Sequence, residues 1–185
     1  IAGISLYRPG PMDFIPKYIK GKQNQDSIQY TCPELEEILA PTYGCIVYQE
    51  QVMQIFRELA GYSYGRADIV RRAMSKKKLD VMEKERTAFI FGCEENGIDK
   101  TVANTIFDQM SEFAKYAFNK SHAACYALVA YRTAYLKCYC PAEFMAALMT
   151  SVLDQSNKIA RYTAECKRLG IRLAPADINT SMQGF

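Results

Sequence analysis

The sequence holds few of the residues from which a self-sufficient catalyst is built. Its only histidine is His122. No paired carboxylates and no Cys/His cluster stand at the spacings that serve acid–base, nucleophilic or metal chemistry. No catalytic residue and no metal ligand are therefore assigned. No apolar run is long enough to span a bilayer and no signal peptide is present, so a membrane partner is not expected. A net charge of +3, with pI near 8.4, is too mild to argue a nucleic-acid partner from the total. Such an argument must rest on where the charges sit. The seven cysteines are odd in number, and Cys138 and Cys140 are one residue apart. Neither a disulfide framework nor a zinc ribbon has that pattern. Cys125, Cys138 and Cys166 fall in apolar helical patterns and read as reduced core thiols of a cytosolic protein. A Cys125–His122 nucleophile pair lacks a third orienting group. Internal repeats and low-complexity segments are absent as well. The chain opens Ile1-Ala2-Gly3-Ile4, without Met, and reads as a piece of something longer, expected to be monomeric.

What is present supports a packed helical protein. With 185 residues, 49% of them hydrophobic, the chain can bury roughly 70% of its unfolded surface. Arg8-Pro9-Gly10-Pro11 and Pro16 forbid a long helix near the start. Lys20-Gly21-Lys22-Gln23-Asn24-Gln25 reads as an exposed loop. Pro33 opens a short helix to Ala40. Ile46 to Ala60 predicts an amphipathic helix with Val52, Ile55, Phe56 and Leu59 on one face, ended by Gly61. Ser63 then caps a helix to Ser75. Further helices are expected at about 79–95, 99–116, 120–139, 141–153 and 156–169, with Gly97 and Gly170 as stop signals and Pro141 as a first-turn residue. Ile171-Arg172-Leu173 could form a short strand ended by Pro175. The fold class is mainly α. Residues 1–32 form an irregular N-terminal arm, 33–170 the helical body, and 171–185 a truncated C-terminal extension.

Two runs concentrate positive charge. Between Arg66 and Lys78 the only acid is Asp68, three residues before Arg71 and four before Arg72. One carboxylate cannot neutralise both arginines and the lysines Lys76, Lys77 and Lys78. With Ile69, Val70 and Ala73 facing inward, two guanidinium forks stand near a helix C-terminal half, an arrangement suited to phosphate oxygens. A solvated face explains the same residues, because cations near a helix C-terminus are favoured by the macrodipole.

At Phe118-Asn119-Lys120-Ser121-His122 the electrostatics run the other way. Asn119 or Ser121 is a natural N-cap, so Lys120 and His122 sit at the helix end where the dipole disfavours cations by a few tenths of a kcal/mol each. An anion bound there would reverse that cost, and the free amides make the end a ready phosphate site. Tyr126, one turn on, could pack against a sugar or a base. The competing reading makes His122 a cap or packing residue and Tyr126 part of the core.

Leu6-Tyr7-Arg8-Pro9-Gly10-Pro11-Met12, Tyr48-Gln49-Glu50-Gln51-Val52-Met53-Gln54-Ile55, Arg71-Arg72-Ala73-Met74 with Lys76-Lys77-Lys78, Phe118-Asn119-Lys120-Ser121-His122 and Pro141-Ala142-Glu143-Phe144-Met145-Ala146-Ala147 resemble, in order, the bacterial C-family replicative polymerases, the DNA polymerase III alpha subunits. The likeness covers nearly the whole chain and follows the DnaE branch rather than the PolC branch. It implies a helical fingers region, with the edge of the palm at its start, that covers the incoming dNTP and faces the templating base. Arg71 and Arg72 are expected to contact the triphosphate, Asn119, Lys120, Ser121 and His122 to line the same pocket, and Tyr126 to lie near the sugar. Arg66, Lys76, Lys77 and Lys78 are candidate DNA or phosphate contacts. The family's catalytic aspartates, and with them the Mg²⁺ ligands, belong to the palm, so neither Asp13 nor Asp68 takes that role. Primer-template DNA and dNTP are the implied partners of the whole cytoplasmic enzyme. Its sliding clamp and clamp loader are met by regions outside this chain. By the same likeness, the isolated piece is expected to be inactive. A helical nucleic-acid-binding module, tracking a strand backbone with its basic segment, is the alternative.

The chain departs from that family pattern at Gly65-Arg66, where paired glycines are usual, and at Ser75 and Ala117, where glycine is usual. A left-handed glycine could not become alanine without strain. Ala117 is therefore either ordinary helix or coil, or the mark of a reshaped pocket entrance.

Overall fold

A computed structural model describes residues 1–76, 79–179, 181 and 183–185. Among them run the helices α1 (Ala2–Leu6), α2 (Ile15–Gln23), α3 (Glu34–Leu39), α4 (Gln49–Ala60), α5 (Tyr64–Ser75), α6 (Leu79–Glu95), α7 (Lys100–Phe113), α8 (Lys120–Tyr139), α9 (Pro141–Thr150) and α10 (Ser156–Arg168). The mainly α expectation holds. The only β pairing among the described residues is an isolated parallel bridge between Tyr48 and Phe118. Residues 171–177 carry no regular structure, so the short strand at Ile171-Arg172-Leu173 does not form. No described helix is long and apolar enough to cross a membrane. The chain divides into two compact units, Ile1–Tyr126 and Ala127–Phe185.

The first unit is organised around α4. Val52, Ile55, Phe56 and Leu59 are completely buried, which is the face that their i, i+3, i+4, i+7 spacing predicts. Phe56 sets its ring edge-on to Phe89 of α6, centroids 5.2 Å apart, and to Phe107 of α7 at 6.2 Å. Such edge-to-face contacts add to the roughly 2–3 kcal/mol that burial of each ring contributes. Gly61 ends α4 in the left-handed region at φ 69°. Ser63 Oγ then accepts the Arg66 N–H and starts α5 as expected. Asp99 caps α7 through the N–H groups of Thr101 and Val102.

Three local expectations need correction. Helix α4 begins at Gln49, not Ile46. The Gln51 side-chain carbonyl takes the Val47 and Tyr48 N–H groups, at 2.9 and 3.0 Å, and holds those residues extended. Lys20 to Gln23 is not loop but the end of α2, with Gly21 buried where a Cβ would lie 2.7 Å from the Tyr43 carbonyl oxygen. Pro16 sits in the first turn of α2, where its missing N–H costs nothing. Finally, Cys125, Cys138 and Cys140 are exposed, while Cys32, Cys45, Cys93 and Cys166 are buried. Cys125 and Cys138 are not core thiols, because on α8 only Ala123 is buried. Burial pushes the Cys32 thiol up to about 11 and the Cys93 thiol up to about 12.

The second unit has a small core of Met145, Met149 and Cys166. Glu165 binds both Arg168 and Lys137 through charged contacts of 2.7 Å. Those two cations hold its carboxyl down at about 2.

Candidate functional site

Helix α5 presents its arginines through one acid. Asp68 Oδ1 accepts from Arg71 Nη2 at 2.6 Å and from Nε at 3.1 Å, and Asp68 Oδ2 meets Arg72 Nη2 at 2.7 Å. Arg71, with Arg72 behind it, holds the Asp68 carboxyl below the usual carboxylate range. The i, i+3 and i, i+4 spacing puts all three on one face. The two guanidinium groups differ in what they leave open: the Arg71 side chain is 13% exposed and that of Arg72 is 66%. Val70, Ala73 and Met74 are buried beneath them, but Ile69, expected inward, is 65% exposed. At 100° per residue, Ile69 flanks the buried stripe of Ala67, Val70, Ala73 and Met74 on its Ala73 edge, outside the centre that packs against the core.

The other cations of the basic segment divide. Arg66 donates to Glu85 of α6 at 2.9 Å and lies over the Tyr62 ring at 4.0 Å. The Tyr62 hydroxyl donates to the same carboxylate at 2.9 Å. Burial first, then Glu85, pushes the Tyr62 phenol well above its ordinary value. Arg66 thus ties α5 to α6. Lys76 is exposed at the end of α5, and Lys77 and Lys78 lie outside the described residues.

The start of α8 is built from farther away. Asn119 caps it: its Oδ1 accepts the His122 N–H at 2.8 Å. Both oxygens of Glu50, from the first turn of α4, lie 3.1 Å from the Lys120 amide nitrogen. Glu50 Oε1 also accepts from Asn119 Nδ2 at 3.2 Å. The helix end expected to stand open to a bound phosphate is instead closed by a carboxylate of the chain itself, which takes the Lys120 amide. That carboxylate offsets the cost of placing Lys120 and His122 there. Asn119, Lys120, Ser121, His122 and Tyr126 are all exposed, so Tyr126 is not core. The Phe118, His122 and Tyr126 rings form a ladder with centroids 5.5 and 4.7 Å apart.

The segment before α8 connects the two cation groups. Ser75, at the end of α5, donates to the Ala114 carbonyl at 2.9 Å. The Arg8 guanidinium donates to the Tyr116 carbonyl and lies over the Phe118 ring at 4.8 Å. Phe118 pairs with the strand-like entry to α4: its N–H donates to Val47 O at 3.1 Å and its carbonyl accepts the Gln49 N–H at 3.0 Å. Ala117 does not stand in the left-handed region, where Tyr43 is the single non-glycine residue among those described. Its backbone is ordinary coil, and alanine there carries no strain.

Sequence reasoning missed Arg8 and Glu50. Both belong to motifs singled out above, but nothing local says that they reach residues 116–120. Among the described residues no group of three His, Cys, Asp or Glu side chains is arranged to hold a metal ion. What the site offers chemically is the exposed cationic side chains of Arg72 and Lys120 and the exposed rings of His122 and Tyr126, while the Lys120 and His122 amides are already taken by Glu50 and Asn119.

The family model of the bacterial DNA polymerase III alpha subunit finger domain matches residues 1–97. The chain is 49% identical over 185 residues to the DNA polymerase III subunit alpha of Borreliella burgdorferi, and 52% identical over 185 residues to that of Neisseria meningitidis serogroup A. It is 48% identical over 186 residues to the DNA polymerase III subunit alpha of Thermus aquaticus, a match covering 98% of this chain. The first two matches cover the whole chain, so the residues of α7 to α10 are matched although they lie beyond the finger model. The chain spans only 15–16% of the length of these three relatives.

Proposed function

This chain belongs to the finger-domain family of bacterial DNA polymerase III alpha subunits, and from that premise we propose that it is the fingers region of a DNA-directed DNA polymerase in chromosomal replication. In this reading it binds the triphosphate of the incoming dNTP and positions it opposite the template. The observation that carries the proposal is the exposure of Lys120, His122 and Tyr126 on the first turns of α8. A second observation is the arginine pair on α5, which shares one carboxylate and so keeps a net positive charge.

The chemistry divides between this chain and the rest of the enzyme. The primer 3′-hydroxyl attacks the α-phosphorus and pyrophosphate leaves. Negative charge accumulates on the β and γ phosphates as the bond breaks, and prepositioned cations there stabilise the transition state. Arg71, Arg72 and Lys120 supply that charge, His122 adds a hydrogen-bonding ring, and Asn119 lines the pocket as the cap that sets the first turn of α8. Tyr126, next in the ring ladder, packs beside the sugar. In this reading Mg²⁺ held by palm carboxylates outside this chain would activate the hydroxyl and stabilise charge on the phosphate oxygens.

The test uses the full-length polymerase. Arg71→Ala and Arg72→Ala should each raise the KM for dNTP about tenfold or more, the worth of one charge-assisted hydrogen bond. Primer-template affinity should change much less. Unchanged KM values would remove the arginines from the site. A loss confined to primer-template affinity, with a salt slope lowered by about 0.7–0.9 per removed contact, would favour a backbone-binding module built on Arg72 and Lys76.

A further inference from the structure

We propose that Glu50 is a positioning residue for this nucleotide site: it sets the amide of Asn119 and the first turn of α8, and through them the placement of Lys120 and His122. The proposal rests on the reading of the site given above. Glu50 lies in the first turn of α4, yet its hydrogen bonds go to α8. Its two oxygens bracket the Lys120 amide at 3.1 Å. Oε1 also faces Asn119 Nδ2 at 3.2 Å.

The chemistry of that second contact fixes an orientation. An ionised carboxylate only accepts hydrogen bonds. The Asn119 side chain must therefore turn its NH₂ toward Glu50, which leaves Oδ1 toward α8. There Oδ1 accepts the His122 N–H at 2.8 Å. Turned the other way, the amide would face carboxylate with carbonyl and backbone N–H with NH₂. Both contacts would be lost together. Glu50, Asn119 and His122 thus form one relay, in which an acid on α4 decides which way the cap of α8 faces.

The neighbours of Glu50 stiffen the relay. The Gln49 N–H donates to the Phe118 carbonyl at 3.0 Å. The Gln49 side-chain amide donates to the Ala117 carbonyl at 3.1 Å. Residues 49–50 therefore grip residues 117–120 through main chain and side chain at once. Glu50 spends its acceptors on Asn119 and the Lys120 backbone, so the Lys120 ammonium and the His122 ring stay available to a polyphosphate. Misplacing such groups by an ångström is enough to cost binding or rate severalfold.

The test again uses the full-length polymerase. Glu50→Ala should raise the KM for dNTP about tenfold while kcat and primer-template affinity stay within about twofold. Glu50→Gln keeps one acceptor oxygen and should stay within about threefold of the parent KM. Asn119→Ala should add little in the Glu50→Ala background, because the two residues act in series. A structural role without positioning would lower primer-template affinity and kcat together and would leave the two variants multiplicative. Either result overturns the proposal, as does a Glu50→Ala enzyme with unchanged KM. Arg71→Ala measured alongside separates the failures. If Arg71→Ala raises KM and Glu50→Ala does not, the relay falls and the fingers reading stands. If neither raises it, the relay and the triphosphate-binding reading both fall.

Discussion

On α5 the charge partner of the cations is local: Asp68 reaches Arg71 and Arg72 across three and four residues of its own helix. On α8 it is remote, since Glu50 lies 70 residues before the Lys120 amide that it caps. The two arrangements look alike as charge counts but differ in what maintains them. The α5 cluster needs only that the helix form. The α8 turn needs α4 to start at the right residue, Phe118 to pair with Val47 and Gln49, and Arg8 to hold the Tyr116 carbonyl. The α8 turn should therefore respond to distant substitutions that leave the α5 cluster untouched.

The largest such effect is expected at Gln51. It is 5% exposed. Its carbonyl serves two N–H groups, and its amide donates to Ile38 O at 3.1 Å and to Thr42 Oγ1 at 2.7 Å. Gln51→Ala orphans several buried backbone groups at once and should cost about 3 kcal/mol in urea denaturation. It should also raise the KM for dNTP, because Tyr48, Gln49 and Glu50 lose their anchor. A loss below about 1 kcal/mol would mean that the entry to α4 is held by something other than Gln51.

The N-terminal arm offers a sharper handle on the same turn. Gly10 has φ 98°, and a Cβ there would lie 2.5 Å from the Tyr116 ring. Gly10→Ala meets both backbone strain and a clash, so about 2 kcal/mol of destabilisation is expected. Adding Tyr116→Ala should recover the steric part and leave the strain. If the second change recovers nothing, the arm does not bear on the residues that lead into α8.

The same contrast explains what could be read from the sequence. Local signals worked: Ser63 caps α5, which ends at Ser75, and α8 runs from Lys120 to Tyr139 as expected. Each depends on residues a few positions apart. The failures depend on distant partners. Ile46 to Tyr48 fits a helical period, but Gln51 and Phe118 hold it extended. Lys20 to Gln23 has loop composition, but Gly21 packs under Tyr43. Cys125 sits in an alanine-rich run that reads as core, yet α8 buries only Ala123. At the site, the sequence singled out Arg71, Arg72, Lys120 and His122 and the expectation of an anion at the α8 start. It could not show that Glu50 closes that helix end instead, because an acid in the first turn of α4 is already explained by the dipole of α4 itself.

The smallest effect belongs to the local pair, and it measures how far the comparison extends. Asp68 titrates below the usual carboxylate value because Arg71 and Arg72 bind its ionised form. A carboxyl with a depressed folded value contributes stability that is complete above about pH 4 and is lost as pH falls through the folded value. Much of the contact is open to solvent, so the contribution is about 0.5 kcal/mol and should shrink in 1 M salt, where screening falls to a few ångströms. Asp68→Asn should therefore cost about 0.5 kcal/mol at neutral pH and remove one step from the acid limb of the stability curve, while α5 stays folded by its Val70, Ala73 and Met74 face. If Asp68→Asn instead cost as much as Gln51→Ala, the α5 cluster would be as dependent on tertiary structure as the α8 turn. The distinction between a partner supplied by the helix and one supplied by the fold would then fail.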